Sequence, residues 1–399
     1  MSSAVYLHAL GVNCALGQGQ AAVRAGLFAD APGGVAENTS AWPGRSLHLG
    51  AVTSPLPSVD HLPLRHRSRN NALLLSALAQ VRAEVDAAIA LHGASRVAVV
   101  LGTSTSGVGE SELAFERHAR EGRFPPGFDL GQQEIGSPAL MLGELLGLDG
   151  PCHVVSTACS SSAKAMASAA RLLRAGLCDA VITGGADSLC RFTVAGFAAL
   201  ESVDPQRCNP MSANRHGINI GEAAALFVMR REPGPVRLSG WGESSDAHHI
   251  SAPEPSGAGA LAAMQQALAR AGLQPQDIDY LNLHGTATPQ NDAMESRAVT
   301  QLLGPSVACS STKPLSGHTL GAAGALEAAF AWLCLVGNPQ GRLPPHWWDG
   351  AADPQLPPLN LVRPGQSLGR PLRHVLSNSF AFGGSNAALV LSAHEVIHG

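Results

Sequence analysis

The sequence predicts an α/β fold built as two similar halves, and three observations carry that prediction. Short aliphatic or β-branched runs alternate with Ala/Leu-rich segments at helical spacing, the pattern of largely parallel strands covered on both faces. A break at Arg231-Glu-Pro-Gly-Pro235, which neither a helix nor a central strand tolerates well, interrupts the alternation, and the alternation then restarts. A chain of 399 residues, 45% hydrophobic and only 14% charged, has enough core for two or three domains or one large duplicated one.

In chain order, strands are expected at Arg96–Leu101, Cys152–Val155, Ala180–Thr183 and Ala224–Met229, with helices over Asn71–Ala88 and Ser161–Leu173. After the break, Val236–Gly242 reads as a strand, Gly257–Ala271 as a helix and Ile278–Leu283 as a strand. Ala322–Leu335 reads as a helix, and Leu389–Ser392 closes the chain in a strand. The division is placed at 1–232 and 233–399. The stretch Asn338–Gln366 is Pro-rich, contains Trp347-Trp348 and has no periodicity, so it is expected to be a long surface loop packed by its own aromatics.

Charge and cysteine usage narrow the class. A net charge of −4 offers no global basic field for nucleic acid. The start, Met1-Ser2-Ser3-Ala4-Val5, lacks a basic region followed by a long apolar run, and no uncharged apolar stretch reaches 18 residues, so neither a signal peptide nor a membrane span is expected. Eight cysteines stand apart, with no C-x-x-C pair, which argues against a zinc knuckle or a disulfide framework and for a reducing cytoplasm. No metal site is expected.

Four segments can carry chemistry. In Val154-Val-Ser-Thr-Ala-Cys159-Ser-Ser-Ser-Ala163 a buried strand turns sharply into a helix. Ser156 or Thr157 is placed to cap that helix, which puts Cys159 near free amides and the positive dipole end, favouring a thiolate with a lowered pKa. Backbone N–H groups at such an elbow can bind an oxyanion. The competing reading is a small core cysteine, the common fate of a free thiol. The second segment, Tyr280-Leu-Asn-Leu-His284-Gly-Thr-Ala-Thr-Pro289, is a strand ending in a histidine. The third, Ser311-Thr-Lys313-Pro-Leu-Ser-Gly317-His318-Thr-Leu-Gly-Ala-Ala-Gly324, sets Lys313 and His318 five residues apart before a closely packed helix. With sixteen histidines in the chain, each alone is weak, but both lie where active sites of α/β folds gather. The fourth, Ser377-Asn-Ser-Phe380-Ala-Phe382-Gly-Gly-Ser-Asn386, reads as a turn whose backbone can approach a substrate or, equally, as a tight bend between strands.

Together these segments resemble the β-ketoacyl-[acyl-carrier-protein] synthases, condensing enzymes of the thiolase superfamily. The resemblance runs along nearly the whole chain, from Leu10-Gly-Val-Asn-Cys14 through Gly184-Gly-Ala-Asp187 and Ser244-Ser-Asp-Ala-His-His-Ile-Ser-Ala-Pro253. It implies a thiolase-like fold, two α/β halves layered α-β-α-β-α, with the nucleophile in the first half and the two histidines and lysine in the second. It implies that Cys159 is acylated, that His284 and His318 are the active-site histidines, and that Lys313 is the accompanying lysine. Phe382, with Gly383 and Gly384, is implied as the gate, Glu327 as the residue that holds the lysine region, and the N–H groups of Cys159 and Phe382 as oxyanion donors. The implied reaction is decarboxylative condensation of an acyl group on Cys159 with a malonyl thioester, without metal or organic cofactor, in fatty-acid biosynthesis; the alternative is the same step in a dedicated polyene or polyketide cluster.

Implied partners are acyl- and malonyl-loaded acyl carrier protein and a second subunit, a homodimer or a heterodimer with a ketosynthase-like chain. Because carrier proteins are acidic, Arg65, Arg67 and Arg69 with Arg117, Arg120 and Arg123 are candidate docking groups, against the plainer reading of solvated surface arginines. The chain departs from the family pattern at Arg215-His-Gly-Ile218, at Gly221-Glu-Ala-Ala-Ala225, at Leu283 in Asn282-Leu-His-Gly-Thr286, and at Asn291-Asp292. A thiolase would carry a second catalytic cysteine near the C-terminus, whereas the last cysteine here is Cys334. A silent chain-length subunit would lack the nucleophile.

Overall fold

Ten main strands and eight main helices, in a computed structural model describing residues 4–42 and 44–394, follow the alternation of apolar and helical segments. Met1-Ser2-Ser3 of the no-leader expectation lies outside the described residues. The first five strands are β1 (Tyr6–Cys14), β2 (Val97–Gly102), β3 (Cys152–Val155), β4 (Ala180–Asp187) and β5 (Ala223–Arg230), lying side by side as β1-β5-β4-β2-β3. The next five are β6 (Val236–Ser245), β7 (Tyr280–Asn282), β8 (Ala308–Ser310), β9 (His374–Ala381) and β10 (Ser385–Ala393), in the order β6-β10-β9-β7-β8. The same first-fifth-fourth-second-third order appears twice, so the two sheets are copies of one plan. They join where Tyr6 and Leu7 pair antiparallel with Arg237 and Val236. Each sheet is mixed: β5 and β10 run against both neighbours, while β4, β2 and β3 are parallel, as are β9, β7 and β8.

The helices are α1 (Arg69–His92), α2 (Val108–Glu121), α3 (Ser137–Leu146), α4 (Ser161–Arg174), α5 (Arg191–Ala199), α6 (Ala258–Ala271), α7 (Pro289–Leu303) and α8 (Ala323–Leu335). Ser68 caps α1, its side chain accepting the Asn71 N–H at 3.2 Å. Helices α1 and α3 bury Leu73, Leu74, Met141 and Leu142 against one face of the first sheet, and α6 and α7 bury Met264, Leu268, Met294 and Val299 against the second. Between the sheets lie α4 and α8, the corresponding helices of the two halves. Every residue of α8 is buried, and it is apolar nearly all round because protein surrounds it. The layers are therefore α-β-α-β-α.

Backbone contact sets the spacing of the two central helices. A Cβ on Gly324 would stand 2.7 Å from both the backbone nitrogen and the Cβ of Ala163. Beside it, the Ala325 N–H donates to Ser162 Oγ at 2.8 Å.

Two expectations change. Strand β4 runs past Thr183 through Gly184-Gly185 to Asp187, because a covered central position tolerates glycines that strand propensity disfavours. The segment 338–366 is not closed by its own aromatics: His346 is buried between two other loops and Trp347 packs on the central core, though His346 and Trp348 do meet edge-on at 5.8 Å. No helix among the described residues is long and apolar enough to cross a membrane.

Gly324→Val is expected to cost about 3 kcal/mol or more by forcing α4 and α8 apart. Gly33→Ala, where a Cβ meets nothing within 4 Å, should stay within about 0.5 kcal/mol. Thermal or urea unfolding of both variants measures the difference.

Candidate active site

Strand β3 ends at Val155, and the chain reverses through Ala158, a non-glycine residue at φ +50°, before α4 begins at Ser161. That strained residue costs on the order of 1 kcal/mol and is held by short-range bonds. Ser161 Oγ accepts the Thr157 N–H at 2.9 Å and donates to the Ala158 carbonyl at 2.6 Å, while Ser160 Oγ donates to the Thr157 carbonyl at 2.9 Å. The N-cap position is Ser160, without a side-chain cap bond, so Ser156 and Thr157 do not cap α4 as the spacing predicts; Thr157 is used inside the turn. Cys159 sits at the elbow, 5% exposed.

The second half brings its residues to this thiol from the ends of β7 and β8. His318 Nε2 lies 3.0 Å from Cys159 Sγ. The His284 ring meets the His318 ring nearly perpendicular, with centroids 5.3 Å apart, and is backed by Phe380 at 6.0 Å. The His318 backbone is stitched to the first half: its N–H donates to the Asn219 carbonyl at 2.6 Å and its carbonyl accepts the Gly221 N–H at 2.9 Å. Lys313 is fully buried, with Nζ 2.6 Å from Glu327 Oε1 on α8. The lysine and glutamate that the resemblance pairs are thus neighbours.

Burial dominates the titration of this cluster. It pushes the Cys159 thiol up to about 12, with Lys313 and the Phe382 backbone N–H pulling the other way. The lowered thiol pKa expected from the helix terminus is not found, because a buried sulfur loses more hydration than the dipole returns. His284 and His318 are both held well below the usual imidazole range, by burial first and by Lys313 next, so both rings are neutral near pH 7. Burial raises Glu327, against the pull of Lys313.

Two cavities meet at Cys159. One, about 160 Å³, lies on the histidine side and is lined by Thr286, Thr288, Asn291, Ser251 and Pro253. The other, about 590 Å³, is lined mainly by apolar groups, including Val108, Leu130, Ile135, Phe192 and Leu320. Phe382 and Phe197, whose rings lie 5.6 Å apart, border both. Gly383 and Gly384 form the turn after Phe382, so the fourth segment is a bend between β9 and β10 that also faces the thiol.

Several residues of this site escaped the sequence reading. Glu295 on α7 accepts the backbone N–H groups of His284 at 2.8 Å and Gly285 at 2.7 Å, and the Asn378 side chain at 3.1 Å. Burial raises it to about 7. Asp187, seen only as part of a motif, accepts bonds from the Thr103 hydroxyl, from Ser104 and Thr105, and from the Gly321 N–H at 2.6 Å, tying the floor of the larger cavity to the His318 loop. Nothing in the spacing distinguishes these carboxylates from surface acids; the one signal is for Asp187, which follows Gly184-Gly-Ala186 at the end of an apolar run.

The arginines divide. Arg69 turns inward onto buried Glu222, at 2.5 and 2.8 Å, and is thereby committed to holding that carboxylate. Arg65 forks onto exposed Glu144, Arg67 donates to the Leu62 carbonyl, and Arg117 and Arg123 flank Glu121. Arg120 is exposed. Among the described residues no group of three or more His, Cys, Asp or Glu is placed to hold a metal ion.

A duplicated α/β fold with a cysteine elbow at its seam is the fold of thiolase-like condensing enzymes. Residues 67–233 match the beta-ketoacyl synthase N-terminal domain family and residues 236–346 the C-terminal domain family. A 3-oxoacyl-[acyl-carrier-protein] synthase 2 of Staphylococcus aureus (strain N315) is 31% identical over 88% of each chain, and one of Rhizobium meliloti (strain 1021) is 40% identical over 61% of each. Among solved structures, the ketosynthase ApeO in complex with its chain length factor ApeC from Xenorhabdus doucetiae matches with a TM-score of 0.93 and 44% identity over 98% of both chains. A beta-ketoacyl synthase from Burkholderia phymatum STM815 matches at 0.86 and 27%, covering 98% of this chain and all of that one. This chain belongs to the beta-ketoacyl synthase family.

A thiol pushed up to about 12 is protonated throughout the neutral range. Iodoacetamide alkylation mapped to Cys159 should therefore rise about tenfold per pH unit from pH 7 to 9 without levelling. A plateau below pH 8 would show a thiolate already formed.

Proposed function

We propose that the chain is a β-ketoacyl-[acyl-carrier-protein] synthase that condenses an acyl group held on Cys159 with malonyl-[acyl carrier protein]. The observation that carries this reading is the juxtaposition of Cys159 Sγ, His318 Nε2 at 3.0 Å and the His284 ring in one buried pocket. In the first step Sγ loses its proton and attacks the acyl thioester carbonyl. The tetrahedral oxyanion accepts bonds from the Cys159 and Phe382 N–H groups, and collapse expels the carrier thiolate, which takes up a proton. Malonyl thioester then enters from the histidine side. Its bond to the carboxylate carbon breaks, carbon dioxide leaves, and the electron pair forms an enolate whose oxygen is stabilised by N–H donation from the neutral rings of His284 and His318. The enolate carbon attacks the acyl-Cys159 carbonyl, the C–S bond breaks with its electron pair on Sγ, β-ketoacyl thioester leaves, and Sγ takes up a proton from solvent to restore the thiol. Phe382 gates the thiol between the two cavities, with Gly383 and Gly384 as its hinge. Lys313, held by Glu327, keeps both imidazoles neutral.

In this reading residues 1–232 carry the nucleophile and 233–399 the histidines and lysine. Carrier protein docks through Arg65, Arg67, Arg117, Arg120 and Arg123, with Arg69 shaping the surface through Glu222. The larger cavity takes the acyl chain, and its exposed rim of Leu130, Ile135 and Phe192 is covered by a second subunit. Fatty-acid elongation in the cytoplasm is the primary setting, supported by the bacterial relatives' names and eight free cysteines. The 44% identity to a ketosynthase that works beside a chain length factor supports a second reading, a dedicated polyketide or polyene cluster with a heterodimer. Product masses from a panel of acyl-carrier thioesters, with and without such a subunit, separate the two.

Intact-mass analysis after incubation with an acyl donor should show one adduct, absent from Cys159→Ala; an adduct on another cysteine would overturn the assignment. His284→Ala and His318→Ala should each lower malonyl decarboxylation about 10²–10³-fold while acyl transfer to Cys159 falls less. Unimpaired decarboxylation in both would remove the histidines from the mechanism.

A further inference from the structure

Lys164 lies in α4, five residues after Cys159, and is half-buried beneath the Phe382 turn. Its ammonium donates to Ser385 Oγ at 2.6 Å. The same hydroxyl donates to Ser160 Oγ at 3.1 Å, and Ser160 Oγ in turn donates to the Thr157 carbonyl. Lysine, two serines and the elbow carbonyl therefore form one chain of hydrogen bonds across the seam between the halves. None of these side chains has a part in the reaction described above.

The turn needs such a tie. Gly383 and Gly384 sit at φ +78° and +71°, where side chains are disfavoured, and a Cβ on Gly383 would meet nothing within 4 Å. The turn's other bonds include backbone ones to the 246–250 loop, Gly383 N–H to the Ile250 carbonyl at 2.8 Å and Asp246 N–H to the Gly384 carbonyl at 2.9 Å, and one from the Asn386 side chain to the Gly384 carbonyl at 3.3 Å. These belong to the second half. Ser385 is the first residue past the hinge with a side chain, and that side chain reaches the first half, within the helix that presents the thiol. Arg171, of like sign, pushes against the Lys164 charge, while Ser385 Oγ accepts from its ammonium.

We infer that Lys164 is a positioning residue that latches the Phe382–Ser385 turn to the nucleophile's helix, fixing the Phe382 N–H on the thiol and the ring at the junction of the two cavities. The inference rests on reading Phe382 as gate and oxyanion donor. Lys164 itself touches no reacting atom. It acts on whether condensation and decarboxylation stay coupled, since a turn free to swing exposes the thiol and admits malonyl thioester before an acyl chain is in place.

Lys164→Met, Ser385→Ala and the double variant of the full chain test this, with Ser385→Thr as the conservative control and thermal unfolding to check folding. The first readout is the ratio of uncoupled malonyl decarboxylation to condensation. It should rise at least threefold in each single variant and no further in the double, because both break one latch. Ser385→Thr, which keeps the hydroxyl, should stay within twofold of wild type. The second readout, iodoacetamide alkylation of Cys159 mapped by mass, needs no condensation: it should quicken at least threefold in both single variants and saturate in the double. An unchanged alkylation rate in both single variants, or effects that multiply in the double, overturns the latch. Should Lys164→Met fail to fold, Ser385→Ala alone decides by the same alkylation criterion. A wild type that does not condense, with the alkylation pattern as expected, overturns the reaction assignment and leaves the latch standing.

Discussion

The closeness of two helices governs the rest of this molecule. Where α4 and α8 meet at Ala163 and Gly324, no side chain separates the backbones. That approach carries the N-terminus of α4, with Cys159 on its elbow, against the loop that leads into α8, with Lys313 and His318 on it. Neither half has the chemistry alone. The first supplies a thiol and the second supplies imidazoles, and a separation of one methyl group at the helix crossing would open the 3.0 Å contact between Sγ and Nε2. The cost of this arrangement is a wholly buried α8, in which Glu327 is the single charged residue.

Burial also decides the electrostatics. Removing Cys159, His284 and His318 from water favours the neutral form of each, and the one cation in the pocket, Lys313, presses both imidazoles further the same way. The lysine is compensated by Glu327 at 2.6 Å, not by the thiol, so its field acts on the histidines without becoming an ion pair with the sulfur. A neutral ring donates one N–H that is far less acidic than that of an imidazolium, which suits stabilising an oxyanion more than protonating it. Full burial of Cys159 opposes the low thiol pKa that a helix terminus favours. A dipole contributes a fraction of a charge near a surface, whereas full burial removes the hydration of a whole one.

Much of this was legible in the residues. The Pro-Gly break divides the alternation, and the four chemical segments converge on one pocket. The residue pattern placed β3 and α4 to within a residue: in α4 the small and apolar residues follow burial directly, whereas β3, expected to be buried, is a half-buried edge strand read from its β-branched run. What was not legible depends on three-dimensional closure. Helix α2, with few apolar positions, and helix α7, whose buried face includes Asn291, Asp292 and Glu295, do not announce themselves by an apolar stripe. Arg69 looks like its neighbours Arg65 and Arg67 in sequence, yet only the fold reveals that it faces a buried carboxylate 153 residues away. Lys164 gives no signal at all until Ser385, 221 residues on, arrives beside it.

Phe382 stands at the junction of the two cavities that meet at Cys159. In the proposed mechanism its backbone N–H and its ring have different duties: the first stays fixed on the thiol, and the second clears a path when a chain arrives. One residue can serve both only if motion is confined to the torsions beyond its own nitrogen, which is what two successive glycines after it permit and a rigid strand before it enforces. In that mechanism the acyl chain takes one of the two cavities that meet at Cys159 and the malonyl group the other. Phe197 completes the partition from the first half, its ring set against that of Phe382, so the barrier between the cavities is built across the same seam as the catalytic contact. A displacement at the seam therefore alters both how well the thiol meets His318 and how well the two substrates are kept apart.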